Sequence, residues 1–359
     1  MKVVDLVRES LFEISSYPYG IAPPKRGVLA RLGSNEGPQE LPRKMINRLS
    51  EVLSQSNRYP SPSMEGLERK IAEYAGVNPE SVIIGNGSTE VISALVSTFI
   101  KHREEAIISI PTFSAYEALV KLHQGEVKFV KMKENFEWDV DGILDSISPS
   151  TKIVFICRPN NPTGTMISKD DLKKIASRNV VVAVDEAYME FSGDPVIDLI
   201  ENDENIFIMR TFSKAFGLAG LRIGYGIANL ELAKIMKRVV PPFPVNVVAL
   251  KAAELVLDDR KFMEKTVKIV KEGRKYLFSE LNKIKGVKVY PSQGNFLLMN
   301  IGRTGVKSGD LVKRLAERGV LIRNCAGFRG LTDEYVRVSI GLMRENRVFL
   351  RVFKEAIGN

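Results

Sequence analysis

Five short apolar runs recur through the chain: Ser81-Val-Ile-Ile84, Ala106-Ile-Ile-Ser-Ile110, Lys152-Ile-Val-Phe-Ile-Cys157, Val180-Val-Val-Ala-Val184 and Asn205-Ile-Phe-Ile-Met209. Segments of helical periodicity separate them. Strands that are apolar on both faces, spaced by helices, fit a largely parallel sheet covered on both sides, which makes this an α/β domain. Each run gives way to a polar motif. In order these are Gly85-Asn-Gly-Ser-Thr-Glu90, Pro111-Thr-Phe-Ser-Ala-Tyr116, Arg158-Pro-Asn-Asn-Pro-Thr-Gly164, Asp185-Glu-Ala-Tyr188 and Arg210-Thr-Phe-Ser-Lys-Ala-Phe-Gly-Leu-Ala-Gly-Leu-Arg222. In an open parallel sheet the C-terminal strand edge is where ligands bind, so five motifs far apart in sequence are expected to converge on one crevice.

A chain of 359 residues exceeds the size at which one core usually stops growing, so two domains sharing a cleft are expected. Residues 1–40 begin with a short amphipathic helix and continue through a Pro-, Gly- and Tyr-rich arm. Residues 41–246 hold the sheet. The cluster Val239-Val-Pro-Pro-Phe-Pro244 interrupts the pattern, and residues 247–359 read as a smaller α+β domain. That domain starts with one long helix from about 247 to 284. Strand candidates follow at 287–290, 296–300, 320–323 and 335–340, with helices near 306–318 and 343–357.

The formal charge of +9 raises the question of nucleic acid or membrane surfaces, but the basic residues are dispersed among 43 acids without a basic block. Acidic, phosphorylated small substrates fit the same charge. Two cysteines far apart in sequence do not suggest a disulfide framework, with two histidines no metal cluster is visible, and no apolar run is long enough to span a bilayer. A cytoplasmic protein is expected.

Lys214 stands among Phe212, Ser213, Ala215 and Phe216, where an ammonium would be poorly hydrated, which favours a free, nucleophilic amine able to form a Schiff base. Arg222, in Leu-Arg-Ile-Gly, needs an anionic partner such as phosphate or carboxylate; the plain alternative for the pair is an ordinary lysine at a strand end and an arginine in a salt bridge. Asp185 closes a strand that reads as buried and needs a cation; a pyridinium nitrogen is one, and a helix N-cap or a salt bridge is the plain alternative. Tyr188 can donate to a phenolate oxygen or simply pack. Gly85-Asn-Gly-Ser-Thr-Glu90 leads into an apolar helix, so its amides can hold a phosphate or serve only as a cap. An Asn in the 158–164 turn can donate to a cofactor oxygen. Tyr116 offers a face for a ring, or core packing.

This ordered set resembles the pyridoxal-phosphate aminotransferases of the aspartate-aminotransferase fold, and within them the histidinol-phosphate branch. The resemblance covers nearly the whole chain and is carried by Pro159-Asn-Asn-Pro-Thr-Gly164, Asp185-Glu-Ala-Tyr188 and Thr211 through Arg222. It implies a large domain with a mostly parallel seven-stranded sheet sandwiched by helices, and a small domain built from the arm and the C-terminal third. It implies pyridoxal 5'-phosphate as cofactor, with Lys214 as Schiff-base lysine and proton carrier, Asp185 on the ring nitrogen, Asn161 and Tyr188 on the ring hydroxyl, and Tyr116 stacked on the ring. The phosphate would take the amides of Gly87, Ser88 and Thr89, the hydroxyls of Thr211 or Ser213, and Arg222. Tyr59 would reach the partner's site in a homodimer. Arg337 and Arg323 would hold the acidic end of the substrates, histidinol phosphate and glutamate or 2-oxoglutarate, with Tyr17 (or Tyr19) and Asn35 contributing from the arm.

Two motifs depart from the family's pattern. Asn-Glu-Gly-Pro at 35–38 stands where the family writes Asn-Glu-Asn-Pro, and Gly-Ser-Thr-Glu at 87–90 stands for Gly-Ser-Asp-Glu. Neighbouring readings are an aminotransferase of broader or aromatic specificity and a threonine-phosphate decarboxylase. A basic nucleic-acid binder is the distant one, since no basic stripe interleaved with aromatics occurs.

Overall fold

The computed structural model describes residues 2–14, 27–61, 63–200 and 203–358. Among these, thirteen strands form three sheets: β1 (Ala30–Arg31), β2 (Val82–Gly85), β3 (Glu105–Ile110), β4 (Glu126–Lys131), β5 (Thr151–Cys157), β6 (Val181–Asp185), β7 (Ile206–Thr211), β8 (Gly224–Ile227), β9 (Lys288–Val289), β10 (Phe296–Asn300), β11 (Val320–Leu321), β12 (Arg323–Asn324) and β13 (Tyr335–Ser339). The large sheet runs β2-β8-β7-β6-β5-β3-β4. Its pairings are parallel except at β8, which is antiparallel to both β2 and β7. The five apolar runs are β2, β3, β5, β6 and β7, and the structure adds β4 at one edge and β8 inside.

Alternate residues of the same strands enter different cores, as a period of two requires. Val154, Ile156, Val182, Val184, Ile206 and Ile208 face one helical layer. Phe155, Cys157, Ala183, Phe207 and Met209 face the other. Helices on both faces therefore leave only the strand ends open to ligands.

A four-stranded antiparallel sheet, β12-β13-β10-β9, has its own core against the helices Lys261–Leu281, Ser308–Glu317 and Met343–Ile357. β1 pairs in parallel with β11, Ala30 opposite Val320, which ties the end of the arm to the C-terminal third. The expected strand at 320–323 splits at Ile322. Val320–Leu321 serves β1, whereas Arg323–Asn324 turns to pair with β13.

Two local expectations are corrected. The helix expected from about 247 to 284 is two helices, Val247–Asp258 and Lys261–Leu281, broken where Asp259 takes φ −125° and ψ 87°. Three consecutive polar residues, Asp258-Asp259-Arg260, interrupt the apolar stripe there, and the Asp259 carboxylate caps the amide of Lys261 at 3.3 Å. The N-terminal amphipathic helix is a pair of 3-10 turns, Val3–Leu6 and Glu9–Glu13, which bury no residue, so too little packing is present to extend them into a longer helix. Tyr17 and Tyr19 lie outside the described residues. Among the described residues no helix is long and apolar enough to cross a membrane, and no cluster of His, Cys, Asp or Glu could hold a metal.

Candidate active site

A cavity of about 300 Å³ opens at the C-terminal edge of the large sheet, between it and the four-stranded sheet. Lys214 stands in its floor. The loop carrying it leaves β7 and turns back at Gly217, whose φ of 69° suits a residue without a Cβ. Lys214 Nζ donates to the carbonyl of Ser34 at 3.0 Å and lies 5.9 Å from the centre of the Tyr188 ring. Burial pulls its pKa down to about 8. The Arg337 and Arg222 guanidiniums add to the fall, and Glu36 and Asp185 oppose it. About a tenth of the amine is thus unprotonated at pH 7, far more than for an unperturbed lysine.

Asp185 ends β6 opposite the lysine. It is buried, accepts a 2.6 Å hydrogen bond from the Tyr116 hydroxyl and a 3.0 Å bond from the Ala187 amide, and burial raises its pKa despite both. A carboxylate in that position gains from a cation. Tyr116 does not face the cavity, contrary to its expected role as a stacking ring. It is wholly buried in the first turn of helix Ala115–Leu122, parallel to Phe155 at 4.8 Å, and acts on the site through Asp185. The aromatic side chain that lines the cavity from this motif is Phe113, just before the helix.

The 158–164 turn uses its two asparagines differently. Asn160 is locked into structure: its amide donates to the Pro111 carbonyl at 2.9 Å and its oxygen accepts from Thr112 at 2.6 Å. Asn161 lines the cavity, and its oxygen accepts from Arg337. Tyr188 also lines it, its hydroxyl receiving a 3.0 Å bond from the Asn35 amide group.

The polar end of the cavity is built around helix Ser88–Phe99. Its N-cap, Gly87, has φ 77° and no side-chain cap, so the first amides remain available. A Cβ on Gly87 would lie 2.6 Å from the Arg222 guanidinium, and one on Gly224 would lie 2.4 Å from the Ser88 nitrogen. Both glycines are there because side chains would fill this cradle. Ser88, Thr89, Thr211, Ser213 and Arg222 line it. Arg222 donates to the Ser213 hydroxyl at 3.3 Å, and Thr211 to Ser213 at 2.9 Å. Backbone N–H groups at a helix N-terminus, hydroxyls and one guanidinium form an anion site of the size of a phosphate.

The far wall comes from β12 and β13, where Arg323 and Arg337 are direct cross-strand partners and both are buried. Like charges placed opposite one another repel, which favours an anion between or beside them. Arg337 also donates to the Gly33 carbonyl at 2.8 Å, and Phe328 packs 5.7 Å from the Arg323 guanidinium. Tyr59 lies elsewhere, 79% exposed and stacked on Phe243 at 4.5 Å.

The structure therefore brings together Lys214, Asp185, Asn161, Tyr188, Ser88, Thr89, Thr211, Ser213, Arg222, Asn35, Arg323 and Arg337, with Gly87 against Arg222. It leaves Tyr116 behind the floor and Tyr59 outside. An amine depressed toward neutrality, a buried carboxylate seeking a cation and a glycine-lined phosphate cradle fit a phosphorylated aldehyde with a basic ring nitrogen. Residues missed by sequence reasoning are Phe113, Phe328 and Glu36. Phe113 was detectable as the residue between a strand end and a helix start.

Residues 28–353 match the family model described as aminotransferase class I and II. A histidinol-phosphate aminotransferase of Methanosphaera stadtmanae is 39% identical over 346 residues, 95% of this chain and 93% of that protein. The crystal structure of the histidinol-phosphate aminotransferase from Clostridium acetobutylicum superposes with a TM-score of 0.85 at 31% identity, covering 92% of this chain and all of that one. The enzyme of that name from Sinorhizobium meliloti, in complex with pyridoxal-5'-phosphate, shares the fold at TM-score 0.84 and 22% identity, covering 92% of this chain and 91% of that one.

Proposed function

This chain belongs to the class I and II aminotransferases, and from that footing we propose that it transfers the amino group of L-histidinol phosphate to 2-oxoglutarate, a step of histidine biosynthesis. The cofactor is pyridoxal 5'-phosphate. When bound, it supplies an aldehyde that takes up amino groups and a ring that draws electrons from the substrate Cα–H bond. The observation that carries the reading is the pairing, in one cavity, of a low-pKa lysine facing a buried aspartate with two opposed arginines on the far wall.

In this reading residues 41–246 hold the cofactor, while the arm and residues 247–359 hold the substrate's acidic end. Lys214 Nζ would hold the cofactor's aldehyde carbon and, when free, would be the base placed for the substrate Cα proton; its depressed pKa lets it give up its own proton closer to neutral pH than an ordinary lysine does. Asp185 keeps the ring nitrogen protonated, and Tyr116 orients Asp185. Asn161 and Tyr188 address the ring hydroxyl, and Phe113 covers the ring face. Gly87, Ser88, Thr89, Thr211, Ser213 and Arg222 hold the cofactor phosphate. Arg323 and Arg337 take the phosphate of one substrate and the carboxylate of the other, and Asn35 fixes the arm beside them. The relatives named above support the substrate, since they match along almost the whole chain.

The working unit in this reading is a homodimer, with Tyr59 reaching the partner's cofactor phosphate. An exposed Tyr59 stacked on a half-exposed Phe243 supports a covered face there. Two free, buried thiols, Cys157 and Cys325, suit the cytoplasm. As a test, purified enzyme should carry the visible absorbance of lysine-bound cofactor, and Lys214→Ala should lose it. A colourless wild-type protein that stays colourless with added pyridoxal 5'-phosphate contradicts the reading.

A further inference from the structure

Six charged side chains line the cavity. Lys214, Arg222, Arg323 and Arg337 are cationic, and Asp185 is the acid already assigned to the ring nitrogen. The sixth is Glu36. It is half-buried, and among the described residues its carboxylate makes no hydrogen bond or salt bridge, only a longer-range attraction to the Lys214 ammonium. A carboxylate left uncommitted in a cationic cavity is an acceptor awaiting a donor.

Its position is fixed from both sides. Asn35 is held by Ser339 through two bonds of 2.9 Å, by the Tyr188 hydroxyl at 3.0 Å and by Asn295 at 3.1 Å. Gly37 sits so close to the lysine loop that a Cβ there would lie 2.8 Å from the Lys214 carbonyl oxygen. Ser34 and Gly33, just before, receive the Lys214 ammonium and the Arg337 guanidinium. Glu36 is thus presented by a backbone pinned to the floor and the far wall at once.

We propose that Glu36 accepts a hydrogen bond from the imidazole ring of the amino donor and is the residue by which this cavity separates L-histidinol phosphate from glutamate. This rests on the function proposed above. Both donors share an α-amine for Lys214 to exchange with and an anionic end for Arg323 and Arg337. They differ in what lies between: one offers ring N–H groups, the other a second carboxylate. A carboxylate facing the first gains a charge-assisted bond, and facing the second it repels. The same residue favours one donor and disfavours the other.

The test compares two amino donors on one enzyme form, the cofactor-loaded wild type and its Glu36→Gln and Glu36→Ala variants, by following cofactor absorbance in single turnovers. Both variants should lower kcat/KM for L-histidinol phosphate by about 10- to 100-fold, the loss of one hydrogen bond to a charged group, and leave kcat/KM for L-glutamate unchanged or raised. Equal losses with both donors overturn the proposal, because they place Glu36 on the shared α-amine or in the structure alone. No loss with either overturns it as well. A wild-type enzyme that converts glutamate but is inert to L-histidinol phosphate overturns the substrate reading, and this inference with it.

Discussion

Lys214 is held in a position that costs stability and serves chemistry. Folded and without cofactor it has a pKa of about 8, against 10.5 for an unperturbed lysine. Below pH 8 both states carry the proton and the whole cost of the buried ammonium is present. Between 8 and 10.5 the unfolded chain binds more protons than the folded one, so stability rises with pH across that window. One pKa unit corresponds to about 1.4 kcal/mol, reduced here because the side chain is only half-buried. Lys214→Met should therefore raise the thermal midpoint of the cofactor-free protein by a few degrees at pH 7, and scanning calorimetry should show the advantage shrinking toward pH 10. An advantage that does not change with pH contradicts this account. The lysine was legible in the sequence because its apolar neighbours already implied poor hydration. The aromatic wall of the cavity was not. Phe113 and Tyr116 are three residues apart at the same strand end, and which of them faces the ligand depends on where helix Ala115–Leu122 begins. Tyr116 falls inside its first turn, pointing to Asp185 and leaving the cavity to Phe113.

The strand ends are held in register from beneath. Asp185 and Met209 are cross-strand partners of β6 and β7, and the next residues, Glu186 and Arg210, form a buried ion pair with the Arg210 Nε donating at 2.8 Å. The other Glu186 oxygen accepts the Val196 amide at 2.8 Å. Removing one partner strands a buried charge, at about 3–5 kcal/mol. Glu186→Ala should lose that much in denaturant unfolding and weaken cofactor binding, since Asp185 and Thr211 lie beside the pair; a change below about 1 kcal/mol contradicts the argument. The sequence showed five of the seven large-sheet strands. β8 escaped because Gly224-Tyr-Gly-Ile227 looks like a turn. Gly226 is required there, since a Cβ would come within 2.5 Å of the Phe207 ring. β4, an edge strand of alternating polar and apolar residues, lacks the continuous apolar run of its neighbours. The break at Asp259 was hidden because both flanking helices carry apolar stripes.

Across the whole molecule, the cavity joins three parts of the structure: the edge of the large sheet, the segment 33–36, and the strands β12 and β13. The exposed Tyr59 and Phe243 lie outside it, and the dimer reading gives them a role. Tyr59→Ala protomers and Lys214→Ala protomers should each be weakly active or inactive. Mixed and allowed to exchange, they should regain activity, because one site of each hybrid has its own lysine and a tyrosine from the partner. Monomers in sedimentation, with no gain on mixing, contradict the shared site. The central claim is narrower and more directly measured. Cofactor-loaded enzyme mixed with L-histidinol phosphate, without 2-oxoglutarate, should lose its lysine-bound absorbance in a single turnover and release one equivalent of the phosphorylated ketone, and 2-oxoglutarate should restore the band. An unchanged spectrum with L-histidinol phosphate, alongside a full response to another amino acid, contradicts it.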